Sequence, residues 1–337
     1  MNPFPFVFRW LQAFSPGRFF NFILNEGSYL LSRISGKPVM YGLPWAAAIE
    51  PTTSCNLRCP ECPSGLRKFS RPTGSMNLDD YKKIVDQLSS HLIYLTLYFQ
   101  GEPFLNRNFF GMVNYARGKN IIVATSTNGH FLDDDNARLL VESGIDRLII
   151  SVDGSDQETY ALYRTGGNLE VVKQGIRNVI EWKKKLKSTF PTVEMQFLVL
   201  GTNEHQINEV RLLAKTLRVD KLTLKSAQLY SVEKNPFLTT FPGFSRYTSE
   251  DGYSIKIKSK YPNSCHRMWN SPVITWDGLI VPCCFDKDAD HILGDLKTSN
   301  FSDCWNSESY LSFRKDVFSR RSEIPICRNC NEGISKA

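Results

Sequence analysis

The chain has 337 residues and a formal net charge of +7. Hydrophobic residues make up 42% of it and charged residues 22%. These values exclude a disordered chain, a collagen-like repeat or a coiled-coil rod as the main body. The length fits one large domain, alone or with a small second one. No run of 18 apolar residues occurs, so no membrane-spanning helix is expected.

Residues 1–44 are aromatic and basic. The opening MNPFPFVFRWLQAFSPGRFF lacks the compact apolar run and small-residue cleavage site of a secretory signal. The segment Arg18–Ile34 reads as an amphipathic helix with Phe19, Phe22, Ile23, Leu30 and Leu31 on one side. A helix packed on the main domain is expected. A helix lying on a membrane surface or a partner is the alternative.

Residues 45–230 alternate between short β-type runs and helical runs. Strands are expected at 45–51, 93–99, 121–127, 147–153, 193–200 and 221–225. Helices are expected near 78–90, 107–118, 133–143, 168–187 and 204–217, the first capped by Asn77. Strands joined by helical crossovers imply βαβ units and a parallel sheet, apolar on both faces. Six such units give an α/β partial (β/α)6 TIM-like barrel. Barrel chemistry sits at the C-terminal ends of the strands. Lys183, Lys184, Lys185 and Lys187 crowd the end of one helix and read as a solvated face.

Residues 231–264 lack periodicity and read as a linker or irregular excursion. Residues 265–337 form a small cysteine-rich domain. Within it, VITWDGLIV reads as a β-hairpin turning at Asp277-Gly278.

The nine cysteines fall in two groups. Clustered cysteines in a chain without a secretory signal point to metal or redox chemistry more than to disulfides. In EPTTSCNLRCPECPSG, Cys55, Cys59 and Cys62 follow the first strand at spacing C-x3-C-x2-C. Three thiolates can hold three irons of a 4Fe–4S cube and leave the fourth open to a substrate. A zinc site or three buried free thiols is the competing reading.

This loop resembles the signature of the radical S-adenosylmethionine superfamily. The resemblance implies that the open iron chelates S-adenosylmethionine. It further implies that one electron from the cluster gives a 5′-deoxyadenosyl radical, which abstracts a hydrogen atom from a substrate. FQGEP (Phe99–Pro103) after the second strand is similar to the family's GGEP motif. Its match rests on Gly101, Glu102 and Pro103, with Gln100 in place of the first glycine. TSTNG and ISVDG end the third and fourth strands. By resemblance Thr127, Ser151 and Asp153 are candidate contacts to the cofactor's methionine or ribose. LVLGTNE ends the fifth strand, near where the family supports adenine. The aromatic residue that often precedes the third cysteine is here Glu61.

The second group opens with Cys265, Gly278 and Cys283 at spacing C-x12-G-x4-C and closes with Cys327-x2-Cys330. This resembles a shortened SPASM, or twitch-like, domain. The resemblance implies one auxiliary 4Fe–4S cluster on Cys265, Cys283, Cys327 and Cys330. A tetrathiolate zinc site remains the alternative. Cys284 would point away from Cys283 if both lay on a strand. Cys304 reads as a buried small side chain, and His266 as a packing neighbour of Cys265 rather than a ligand.

The resemblance implies modification of a peptide or protein, with dehydrogenation of a small molecule as the second reading. An electron donor such as a flavodoxin or ferredoxin and a cytoplasmic setting go with it. A non-catalytic iron–sulfur electron carrier is a separate alternative. No basic–aromatic reading module supports a nucleic-acid partner. Peripheral membrane contact through residues 1–44 stays open.

Overall fold

A computed structural model describes residues 4–230, 235–248 and 256–332. Parts of the expected linker, 231–234 and 249–255, lie outside the described residues, as do 1–3 and 333–337. In chain order the first elements are α1 (Phe4–Ala13), α2 (Pro16–Ser35), β1 (Ala46–Ile49), α3 (Pro63–Leu66), α4 (Leu78–Leu88), β2 (Tyr94–Thr96), α5 (Phe109–Gly118) and β3 (Ile122–Thr127). Then follow α6 (Asp134–Glu142), β4 (Arg147–Ser151), α7 (Gln157–Tyr163), α8 (Leu169–Lys185), β5 (Thr192–Val199), α9 (Ile207–Thr216) and β6 (Lys221–Ser226). The last are β7 (Tyr247–Thr248), β8 (Lys256–Ile257), α10 (Arg267–Asn270), β9 (Val273–Ile274), β10 (Leu279–Val281), β11 (Gly294–Asp295), α11 (Phe301–Trp305) and α12 (Glu308–Arg320). The protein is thus α/β with a mostly parallel sheet of the partial-barrel type.

The helices start where the sequence supplies caps. Asn77 accepts from the Asp80 N–H, Asp133 from Asn136, and Asn168 from Glu170 and Val171. Helix α7 was not expected. At seven residues it is too short to show a period, although Asp156 caps it by accepting from the Thr159 N–H.

The chain divides into two compact units. The first holds residues 1–54, 69–124 and 261–330; the second holds 55–68, 125–260 and 331–337. In the first unit β1 pairs in parallel with β2, and β2 with β3. On its other side β1 pairs in parallel with β9, and the antiparallel strands β10 and β11 continue that sheet. The β9–β10 hairpin turns through Trp276-Asp277-Gly278, with Gly278 at φ +90°. That is a three-residue loop closed by a left-handed glycine. Strand β1 is wholly buried, as a strand covered on both faces must be.

In the second unit β4, β5 and β6 pair in parallel, with α6 packed on α8. The described part of 235–257 packs here rather than hanging free. Phe237 meets Tyr163 edge-on, and Tyr247 lies in a cluster with Leu57, Cys59 and Leu200.

Helix α2 is the helix expected at 18–34, and it packs on its own unit, but through the face opposite to the apolar one. Its buried residues are Arg18, Asn25, Ser28 and Ser32. Phe19, Ile23, Leu30 and Leu31 are exposed, together with Phe20 and Ile34. Of the expected apolar set only Phe22 turns inward, against Trp45. The reason is local. The Arg18 guanidinium donates five hydrogen bonds to carbonyls of Ala13, Ser89, Lys119 and Asn120. Asn25 donates to the Trp269 carbonyl, and Ser28 and Ser32 accept from the backbone at Tyr41 and Val39.

Candidate functional site

The first cysteine loop belongs to the second unit from Cys55 onward. Leu57 is buried under it, and the Arg58 N–H donates to the Thr165 carbonyl. Cys62 ends the loop as the cap residue of α3. Gly65 on that helix stands so close that a Cβ there would lie 2.6 Å from the Cys59 nitrogen. Only glycine lets the helix close on the loop. Cys59 is buried, and Cys55 and Cys62 are partly exposed.

Two nitrogen donors face these thiols. Arg164 Nη1 lies 3.9 Å from Cys59 Sγ, and Asn128 Nδ2 lies 3.9 Å from Cys55 Sγ. Asn128 also donates to Asn56 Oδ1 at 2.7 Å. Burial pushes the Cys59 thiol up, and Arg164 opposes the push. Arg164 is held by a 2.6 Å ion pair from its Nε to Asp153 Oδ2. Asp153 is fully buried, and its second oxygen accepts from the Leu198 N–H at 2.7 Å. Both of its oxygens therefore have protein partners. Thr127 is buried and accepts from the Gly129 N–H, and Ser151 is buried at the end of β4.

Glu61 is buried, and its carboxylate binds the chain that follows β6. It accepts from the Tyr230 N–H at 2.7 Å and from Asn235 Nδ2 at 2.6 Å. The position therefore ties two segments together instead of offering a ring. Lys225 on β6 is exposed.

Gly101 and Glu102 belong to the first unit. Gly101 has φ +73°, and a Cβ there would sit 2.3 Å from the Thr52 carbonyl oxygen. Both facts demand glycine. The Glu102 N–H donates to the Ser54 carbonyl at 2.7 Å, and the side chain is buried.

Cys265, Cys283, Cys327 and Cys330 are all buried in the first unit. Their charges act on one another: Cys283 feels Cys284 first, then Cys265 and Cys330, and Cys327 feels Cys330. Burial pushes the Cys283 and Cys327 thiols up. Arg321, 1% exposed, stands among them with Nη2 3.6 Å from Cys330 Sγ. Its other donors hold the carbonyls of Pro262 and Ser264, just before Cys265.

Cys283 and Cys284 lie in the turn after β10 rather than on a strand. Strand alternation therefore does not separate them. Packing does: Cys284 lies against Ala48, Val273, Val281 and Ala289. Cys304 is buried against Gly294. His266 Nε2 pairs with Glu26 at 2.9 Å, and its ring lies 4.8 Å from Tyr29, so it fastens α2 to the segment that follows Cys265.

Each set offers the donor chemistry of an iron–sulfur cluster, cysteine thiols with an arginine nitrogen beside one of them. Thiolates that stand buried together, as Cys283 does with Cys265 and Cys330, are opposed by desolvation and by one another, and a cationic core would offset that. An arginine beside each set, Arg164 and Arg321, would supply a donor to the sulfur of a bound cluster. Among the described residues no three Cys, His, Asp or Glu side chains gather for a single metal ion. A cube takes each thiolate on a separate iron.

Sequence reasoning did not find Arg164, Arg321 or Asn128 as neighbours of the thiols. Asn128 lies within the TSTNG motif, one residue past the one chosen. Arg164 carried no local signal, because Cys59 is 105 positions away; Arg321 stands nine positions before Cys330, but a lone arginine near a cysteine is no motif.

This is the architecture of a radical S-adenosylmethionine core joined to an iron–sulfur segment, and the comparisons with known proteins agree. The Radical SAM superfamily model matches residues 49–214, and the SPASM model, an iron–sulfur cluster-binding domain, matches residues 265–331. The chain belongs to the radical SAM superfamily and is an enzyme of that class. It is 24% identical over 312 residues to a tungsten-containing aldehyde ferredoxin oxidoreductase cofactor-modifying protein of Pyrococcus furiosus, covering 84% of this chain and 86% of that one. It is 24% identical over 291 residues to the S-adenosyl-L-methionine-dependent 2-deoxy-scyllo-inosamine dehydrogenase of Niallia circulans, covering 84% and 91%. The fold is shared with Streptococcus suis SuiB bound to the precursor peptide SuiA, with a TM-score of 0.63 at 13% identity, over 87% of this chain and 71% of SuiB. Two 4Fe–4S clusters and S-adenosylmethionine are the cofactors this family membership implies.

Proposed function

We propose that this enzyme modifies a peptide or protein by hydrogen abstraction. When bound, the cluster and S-adenosylmethionine supply the 5′-deoxyadenosyl radical. The observation that carries the reading is that a three-cysteine loop follows β1, with Cys59 buried, and that the same chain holds a second set of four buried cysteines. In the residue assignment Cys55, Cys59 and Cys62 hold the first cluster, and Cys265, Cys283, Cys327 and Cys330 hold the auxiliary one. Gly101, Glu102, Thr127 and Ser151 contact S-adenosylmethionine, and Asp153 acts by positioning Arg164. The assigned core is 45–230 and the auxiliary segment 265–337. A flavodoxin- or ferredoxin-type donor in the cytoplasm delivers the electron.

Support for a peptide substrate is the shared fold with SuiB, which was solved with its precursor peptide. The second reading, dehydrogenation of a small molecule, is favoured by the nearly full-length match to the Niallia circulans dehydrogenase.

The test is anaerobic. Reconstituted protein, S-adenosylmethionine and a strong reductant are expected to yield 5′-deoxyadenosine, and Cys59→Ala is expected to yield none. No product from protein that carries the reduced first cluster would overturn the radical reading. Incubation with peptide and with small-alcohol fractions then separates the two substrates. Loss of two hydrogens from a small molecule, with peptides unchanged, selects the second reading.

A further inference from the structure

Helix α2 turns its polar face inward and its apolar face outward. At 100° per residue, Phe19, Phe20, Ile23, Leu30, Leu31 and Ile34 share an arc of about 120°. Only Gly27 interrupts it. All six side chains are exposed, Ile34 at 75%. In the same unit α1 exposes Val7, Phe8 and Leu11, the last at 68%. Nine of the nineteen large hydrophobic residues exposed among the described residues thus lie on two adjacent helices. An apolar surface this concentrated has a partner.

The arrangement is built. Five hydrogen bonds from Arg18, and those of Asn25, Ser28 and Ser32, fix the inward face of α2. They hold the apolar arc outward instead of letting the helix roll it into the core.

Charge selects the occupant. With Arg18 buried, α1, α2 and the turn after them keep Arg9, Arg33 and Lys37 as basic residues against one acid, Glu26. Glu26 is engaged by Trp45 Nε1 and by His266. Arg33 and Lys37, at the end of α2, are exposed. The arc itself carries no polar side chain, Arg33 and Lys37 stand at its C-terminal end, and Glu26, the acid at its edge, is already paired. Such an arc suits an anionic lipid surface. No described helix is long and apolar enough to cross a membrane, so α2 would lie in the interface plane.

We propose that α1 and α2 dock this protein on the surface of a bilayer containing anionic phospholipid, with the outward arc of α2 in the interface and Arg33 and Lys37 at the headgroups. The proposal is independent of the substrate.

The test is flotation of the full-length, cluster-loaded protein with vesicles, kept anaerobic. Binding is expected to phosphatidylcholine vesicles containing phosphatidylglycerol, and weaker binding to phosphatidylcholine alone. The double variant Ile23→Glu/Leu30→Glu is expected to bind about tenfold more weakly or less. Both positions are exposed, so its iron content and melting temperature should match the parent. Arg33→Glu/Lys37→Glu should lose the preference for anionic vesicles while keeping residual binding. No flotation with either vesicle, or equal flotation of parent and Ile23→Glu/Leu30→Glu, overturns the proposal. So does a concentration-dependent dimer that the same variant abolishes without any flotation, which assigns the face to a second copy of the chain.

Discussion

Arg164 and Arg321 show how much a single buried side chain decides. Each reaches a thiol that no neighbouring residue in sequence could serve, and each is held by partners of its own: Asp153 for Arg164, and two carbonyls for Arg321. His91 shows the opposite case, a buried base with one weak partner, Ser90 Oγ 3.3 Å from Nδ1, and none at Nε2. It is 2% exposed, stacked on Phe301, and its pKa is lowered to about 4 by burial and by Arg18. In the unfolded chain it takes up a proton below pH ~6.5. Between pH 6.5 and 4 the unfolded state therefore binds more protons, and stability falls as pH falls. The full swing is about 3 kcal/mol. His91→Leu is expected to flatten that slope, read as a smaller loss of stability in urea between pH 7 and pH 5. An unchanged slope would place the sensitivity elsewhere.

At the scale of elements, Arg18 acts as a common C-terminal cap. Its guanidinium meets carbonyls at the ends of α1, α4 and α5, where helix dipoles favour a cation and orphan carbonyls need donors. Lysine keeps the charge but not the planar fork. Arg18→Lys is expected to cost about 2–4 kcal/mol in urea unfolding and to raise protease cleavage around α2. A cost within a few tenths of a kcal/mol would show that water serves those carbonyls. Glu61 works similarly between segments, tying the third-cysteine loop to Tyr230 and Asn235. Its charge, a departure from the family pattern in the sequence, has a structural use here.

At the scale of the whole molecule, residues 261–330 share a compact unit with residues 1–54, and the strands after Cys265 extend the sheet from β1. The auxiliary thiols thus belong to the unit whose sheet holds β1, β9 and β10. The adjacent pair Cys283 and Cys284 gives a direct check. Cys283→Ala is expected to halve the iron bound by the reconstituted protein, and Cys284→Ala to leave it unchanged. The reverse result would move the fourth ligand to Cys284.

The sequence by itself located β1 to β6, the β9–β10 hairpin, six of the twelve described helices, the Asn77 cap and both cysteine groups. Those signals are local: alternation, a 3.6-residue period, a capping side chain, ligand spacing. It also determined that 18–34 is an amphipathic helix. Which face of that helix goes inward was settled by the tertiary structure. The groups that bind Arg18 and Asn25 are carbonyls of Ser89, Lys119 and Trp269, tens to hundreds of positions away. Hydrophobic periodicity favours burying the apolar side, but unmet helix-end carbonyls outbid it here. The same reasoning holds for Arg164 beside Cys59 and for Cys284 packed against Ala48. Each depends on contacts between remote segments, which spacing along a chain does not encode.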